Sequence, residues 1–318
     1  MSFNVNNGRN GNDDIFAPIL EERQSGTLQP SASDKTKKKM TTVKVSIMYS
    51  AYGLLFATLG CVIGFSIRRE NATTCSPSSG LPPGFVNVAK LAPRILVTMR
   101  YATNHNFMGR RVIDYNAPLC ILTKEAATAL KKVSDDVNKA GYVLKMYDCY
   151  RPQRSVDSFV KWSQNNLDTL TKGEFYPDNK NKSSMFPGYI ALKSGHSRGS
   201  TMDLTLVRIP VKEEEEYKPG QKLERCDAPL GVRFGDNSID MGSGFDCFSS
   251  ISNTDSGRVS SKAHKNRMLL KMAMAKHGFV NYDQEFWHYT LENEPYKNTY
   301  FNFPIQDNEC PSLQNVES

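Results

Sequence analysis

The stretch that decides the reading is Ser194-Gly195-His196-Ser197-Arg198-Gly199-Ser200-Thr201-Met202-Asp203, running on into Leu204-Thr205-Leu206-Val207. It sets an imidazole and a carboxylate seven residues apart, with small residues and glycines between them. If the chain turns at 197–200 and then enters a strand, both groups reach one point. Such a pair suits zinc, which takes nitrogen and oxygen ligands at about 2.0–2.2 Å; a catalytic zinc keeps three protein ligands and leaves its fourth position to water. The third donor is sought in Glu285-Phe286-Trp287-His288-Tyr289, where His288 is the candidate ligand and Glu285 is a carboxylate free to act as a base. On a regular strand, side chains three apart face opposite ways, so these two share a site only if the chain bends between them.

Upstream, Tyr142 to Tyr147 reads as a strand that delivers Asp148-Cys149-Tyr150-Arg151-Pro152 at its end. Pro152 suits the first turn of a helix over about 153–165. Arg151 is thereby held at a strand-to-helix junction, where a guanidinium can face the oxyanion formed when an amide carbonyl is attacked. Ala126, Leu130, Val133 and Val137 recur at helical spacing within 124–139, and Gly141 stands where that helix would stop. Ile95 to Tyr101 and Thr201 to Arg208 read as strands, and 260–277 as the last long helix, with Met268, Met272 and Met274 as core packing. His105, His264 and His277 are read as structural. The stretch 212–240, with its Glu213 to Glu216 run, reads as an exposed, solvated insertion that Cys226 and Cys247 could staple.

The chain has 318 residues, 39% of them hydrophobic, enough for one sizeable core. Its net charge of +7 is modest and no basic stripe interleaves with aromatics, which speaks against a nucleic-acid partner. Val45 to Ile67 carries no charge, and at about 1.5 Å per residue it would cross a ~30 Å hydrocarbon layer. A cleaved signal peptide would have a shorter apolar region close to the start. Lys35, Lys37, Lys38, Lys39 and Lys44 precede the run, which by the positive-inside rule puts that flank in the cytoplasm. The expected organisation is a disordered cytoplasmic tail (1–44), a transmembrane signal anchor (45–67), a stalk (68–91), a catalytic domain (92–306) and a C-terminal tail (307–318). That is a single-pass type II membrane protein with its catalytic domain extracellular or lumenal. Of seven cysteines, Cys61 lies in the apolar run and six follow it, which permits disulfides in fifteen possible pairings. Asn71-Ala72-Thr73 and Asn181-Lys182-Ser183 are glycosylation sequons, used if that topology holds.

Asp148 to Pro152, the stretch 194–206, Met241-Gly242-Ser243-Gly244-Phe245-Asp246, and 285–289 followed by Glu294-Pro295-Tyr296 and Phe301-Asn302-Phe303-Pro304 also carry a family likeness. Together they resemble the D-alanyl-D-alanine dipeptidases of the VanX type, zinc D,D-peptidases whose fold is shared with the signalling domain of Hedgehog. The likeness runs from about Leu96 to Ile305, with the motifs in the family's order. It implies an α+β fold, a single zinc-peptidase domain with a central antiparallel sheet and packed helices. It implies one Zn2+ per chain on His196, Asp203 and His288, with Glu285 as catalytic base and Arg151 as transition-state stabiliser. It adds Asp246 as the carboxylate for the substrate's free ammonium and Ser194 as a substrate contact. An ammonium anchor excludes chains extended at the amino end, so the expected activity is hydrolysis of D-alanyl-D-alanine or a similar D,D-dipeptide by a membrane-anchored ectodomain. The alternative is a non-catalytic zinc-containing ectodomain that binds a protein or peptidoglycan fragment, which would have no need of Glu285. The chain departs from the family at Phe286, where Trp is usual, and at Cys149, where Gly is usual and a disulfide or thiol could stand beside the site. The segment between Asp203 and Asp246 is also longer than is common.

Overall fold

Phe85, expected in the stalk, is buried among Tyr150, Phe301 and Phe303 in the computed structural model, which describes residues 80–179, 181–185 and 188–307. It opens strand β1 (Phe85–Asn87), which runs into a one-turn helix α1 (Val88–Leu91) capped by the Asn87 side chain. The folded domain therefore begins upstream of residue 92. The strand expected over 95–101 shrinks to β2 (Leu96–Val97), after which a 3-10 turn at 100–102 swings Arg100 and Tyr101 inward.

Strand β3 (Ile121–Thr123) pairs with β1, and Thr123 caps helix α2 (Lys124–Lys139), whose Ala126, Leu130, Val133 and Val137 are all fully buried. Strand β4 (Tyr142–Asp148) follows, then helices α3 (Gln153–Gln164) and α4 (Lys172–Phe175). The remaining elements are β5 (Thr201–Arg208), α5 (Ser261–Ala275), β6 (Phe279–Asn281) and β7 (His288–Leu291). On α5, Met274 is buried, but Met272 is 45% exposed and contributes little to the core. The aromatic C-terminal stretch packs on the domain as its composition predicts, and Ile305 bridges to Tyr115.

The main sheet has the order β2-β4-β5-β7-β6. It is mixed, not antiparallel throughout, because β2 pairs parallel with β4 while every other neighbour is antiparallel. β4 is buried at every residue, and β5 at all but its last. Central strands covered on both faces do not alternate apolar and polar positions, and their polar members then need partners or a function.

The expected membrane-spanning run at 45–67 lies outside the described residues. Among the described residues no helix is long and apolar enough to cross a membrane. The longest helices, α2 and α5, carry Lys, Asp and Arg along their length and at about 1.5 Å per residue fall short of a ~30 Å layer. The expectations of a domain preceded by a transmembrane helix, and of a single-pass type II location, are corrected accordingly: the chain described is a single mixed α/β domain.

Two disulfides form among the described residues, Cys120–Cys149 and Cys226–Cys247. The acidic run behaves differently from a solvated loop at one position. Glu213, Glu215 and Glu216 are exposed, but Glu214 turns in to pair with Lys145 Nζ at 2.8 Å, and Lys145 is only 1% exposed. A buried ammonium needs such a counter-ion.

Candidate active site

Register across the three inner strands brings the chemistry together. Asp203 on β5 lies opposite Asp148 of β4 on one side and His288 of β7 on the other. Just before β5 the chain makes one 3-10 turn, Gly195–Arg198, begun by Ser194 and closed by Gly199 at φ 82°. That turn lowers His196 onto Asp203, with His196 Nε2 3.3 Å from Asp203 Oδ2. The bend needed between Glu285 and His288 is a turn: Glu285 N donates to Tyr282 O at 3.0 Å, and Asn281 Nδ2 donates to the carbonyls of both Glu285 and His288 at 3.0 Å. β7 begins only at His288, so Glu285 curls back to within 3.5 Å of His288 Nδ1.

Donor atoms of His196, Asp203 and His288 all lie within 4.8 Å of one another. His196 Nε2 and His288 Nδ1 are 3.3 Å apart, and His288 Nδ1 is 3.0 Å from Asp203 Oδ1. His196 Nδ1 donates to the Cys149 carbonyl at 2.7 Å, which leaves Nε2 as the bare lone pair turned inward. Asp203 Oδ1 is buried and, although His288 Nδ1 lies close, accepts no well-aligned hydrogen bond. Ligand-type atoms gathered this closely are what a cation would hold together, and a carbonyl behind a ligating imidazole is the usual means of fixing its tautomer. Two nitrogens and a carboxylate oxygen suit zinc, so the residues fit the ion that the family resemblance implies.

The charges are tightly arranged. Burial alone would raise the Asp203 carboxyl, but His196 and His288 hold it well below its ordinary value. Burial opposes protonation of His288, and Asp203 outweighs it to raise that imidazole. Glu285, buried and only partly offset by His288, is pushed up to about 7. Arg151 donates from Nε to Asp148 Oδ2 at 2.9 Å, lies over the adjacent rings of Tyr101 and Phe159, each 5.0 Å from its guanidinium carbon, and brings Nη2 to 3.7 Å from Asp203 Oδ2. Asp148, itself fully buried, also accepts from the Tyr115 hydroxyl at 2.7 Å, so the guanidinium is fixed in one direction.

Asp246 sits on the loop between β5 and α5 with φ 56° and accepts from Tyr101 OH at 2.8 Å. Burial, with Asp203 and Glu285 nearby, raises its carboxyl well above the ordinary range. Arg267, fully buried on α5, pins this loop by donating to the carbonyls of Met241, Ile251 and Asn253. His196, Asp203, His288, Glu285, Arg151, Asp246 and Ser194 all line one cavity of about 340 Å³. Asn181 is exposed, its Oδ1 accepting from Ser183, and Asn71 lies outside the described residues. Tyr101, Asp148 and Asn281 carry no role in the sequence reading, although Asp148 lies inside a quoted motif. The partners of Tyr101 and Asp148 are set by the fold, and Asn281 acts by hydrogen-bonding a turn.

Comparison with known proteins shows the family. The sequence pattern described as D-ala-D-ala dipeptidase matches residues 82–213 and 230–306. The chain is 38% identical over 222 residues to a D-alanyl-D-alanine dipeptidase of Streptomyces coelicolor, covering 70% of this chain and 98% of that protein. It is 33% identical over 223 residues to the protein of that name from Enterococcus faecium, with the same two coverages. It is 29% identical over 209 residues to that from Escherichia coli, covering 65% of this chain and 83% of that protein.

Proposed function

The chain belongs to the D-ala-D-ala dipeptidase family, and from that membership we propose that it hydrolyses D-alanyl-D-alanine, or a similar D,D-dipeptide, with one zinc ion held by His196, Asp203 and His288. The observation that carries the proposal is the meeting, in one cavity, of three closely grouped ligand-type atoms with a base, a guanidinium and a separate buried carboxylate. A binding module would need neither the base nor the guanidinium.

When bound, zinc supplies Lewis-acid activation, lowering the pKa of a water to about 7. Glu285, poised at about 7, takes the proton of the attacking water and returns it to the leaving amine. Arg151 presents its guanidinium to the oxyanion of the attacked carbonyl, held there by Asp148 and by the two rings. Asp246 receives the substrate's ammonium: burial raises its carboxyl, and a cation beside it favours the ionised form. Ser194 contacts the substrate at the rim of the turn that carries His196.

The test is to load the full chain with zinc and follow amine release from D-Ala-D-Ala, L-Ala-L-Ala and N-acetyl-D-Ala-D-Ala. We expect turnover of the first, little of the others, and loss of turnover on dialysis against a chelator with recovery on zinc addition. Hydrolysis of the acetylated dipeptide at a comparable rate would reject the role of Asp246. Turnover that survives complete metal removal would reject the metal site.

A further inference from the structure

Residues 214–229 fall between the two stretches matched to the family. We propose that this segment is a brace that holds Asp246 in position and so sets the demand for a free amino terminus; the inference rests on Asp246 as the ammonium acceptor. Asp246 is a non-glycine residue at positive φ, a conformation that persists only where its surroundings impose it. Beside Arg267 and Tyr101, the segment supplies part of those surroundings. Cys226 is bonded to Cys247, the residue after Asp246, and its carbonyl accepts from Gly244 N at 2.8 Å, two residues before Asp246. The turn Gly244-Phe245-Asp246-Cys247 is thus tied at both ends to one residue of the segment.

The segment is itself anchored. Cys226 N donates to the Glu174 carbonyl at 2.9 Å. Tyr217 stacks on the buried His105 ring with centroids 4.4 Å apart and planes at 7°. Glu214 pairs with Lys145 at 2.8 Å and with Arg100 at 3.6 Å. Arg100 immediately precedes Tyr101, whose hydroxyl donates to Asp246. A second link runs from Arg100, whose guanidinium carbon lies 5.5 Å from the Tyr147 ring centroid, to Phe245, on which Tyr147 stacks at 4.5 Å. These contacts of the segment fall on the Asp246 turn and on the elements behind it rather than on the candidate metal donors.

The experiment compares the full, zinc-loaded chain with C226A/C247A and, as a milder change, Y217A. It measures kcat and KM for D-Ala-D-Ala, the rate on N-acetyl-D-Ala-D-Ala, zinc content, and amide hydrogen exchange over 243–248, with D246N in parallel. Partial loss of a hydrogen bond to a charged group predicts a KM rise of about threefold to tenfold, with kcat changed less than about twofold. Zinc content should hold, exchange over 243–248 should quicken, and the preference for the free amine should narrow. Unchanged exchange and KM in both variants, while D246N raises KM, would overturn the brace. If D246N leaves KM untouched, the ammonium reading fails and takes the specificity role with it; quickened exchange would then mark a purely structural tie.

Discussion

At the scale of single residues, the site is a set of side chains each fixed by a second group. His196 is oriented by the Cys149 carbonyl, Arg151 by Asp148, and Asp246 by Tyr101. Glu285 differs, because its poise comes chiefly from burial. Replacing it by Gln keeps the shape and the acceptor oxygen but removes the base. We expect Glu285→Gln to bind zinc at full stoichiometry by atomic absorption while kcat falls about 10²–10⁴-fold, the range for a general acid–base group. A smaller loss would move the base elsewhere. The quoted motifs made His196, Asp203, His288, Glu285 and Arg151 candidates because each is a reactive type in a distinctive local setting. Tyr101 had no such setting, and its partner is 145 residues away.

At the scale of elements, function depends on how strands end. β5 supplies Asp203 from its interior, but His196 comes from the turn before it, and that turn closes only through Gly199. A Cβ at this position would lie 2.3 Å from Phe85 Cε1, and φ is 82°. Gly199→Ala combines a left-handed backbone cost of about 1–2 kcal/mol with overpacking of about 1–3 kcal/mol, so we expect a loss of about 2–5 kcal/mol in denaturant unfolding. The same variant should release zinc to a chelator faster, since His196 rides on the displaced turn. The local patterns foretold α2, β4, α3 and β5 closely because periodicity and caps are short-range signals. The parallel pairing of β2 with β4 was hidden, because the strand direction of a partner is set by a connection of many residues.

At the scale of the whole molecule, a second buried cluster ties the segment 214–236 to the domain. In it His105 Nε2 lies 2.9 Å from Glu174 Oε1. Burial raises Glu174 from 4.5 to about 8, and burial with Arg100 lowers His105 from 6.5 to about 2. Between pH 4.5 and 8 the native state holds a proton on Glu174 that the unfolded chain has shed, so stability falls as pH rises. Between pH 2 and 6.5 the unfolded chain binds a proton on His105 that the native state refuses, so stability rises with pH. From 4.5 to 6.5 the two slopes oppose and cancel, which leaves a plateau with a decline on either side. Thermal midpoints should follow this shape, and Glu174→Gln should abolish the decline between pH 6.5 and 8 while keeping the acid limb. A decline that persists in that variant would assign it to another group.

Sequence alone determined the family, the elements with strong periodicity, and which residue types could do the chemistry, because those are properties of short stretches and of side chains themselves. It did not place Phe85 in the core, turn Glu214 inward, choose the two disulfides, or show that a turn pinned by Asn281 lets Glu285 face His288. Only the tertiary structure decided these, since each is a contact between distant parts of the chain, and burial and the need to satisfy buried charge act on the folded whole.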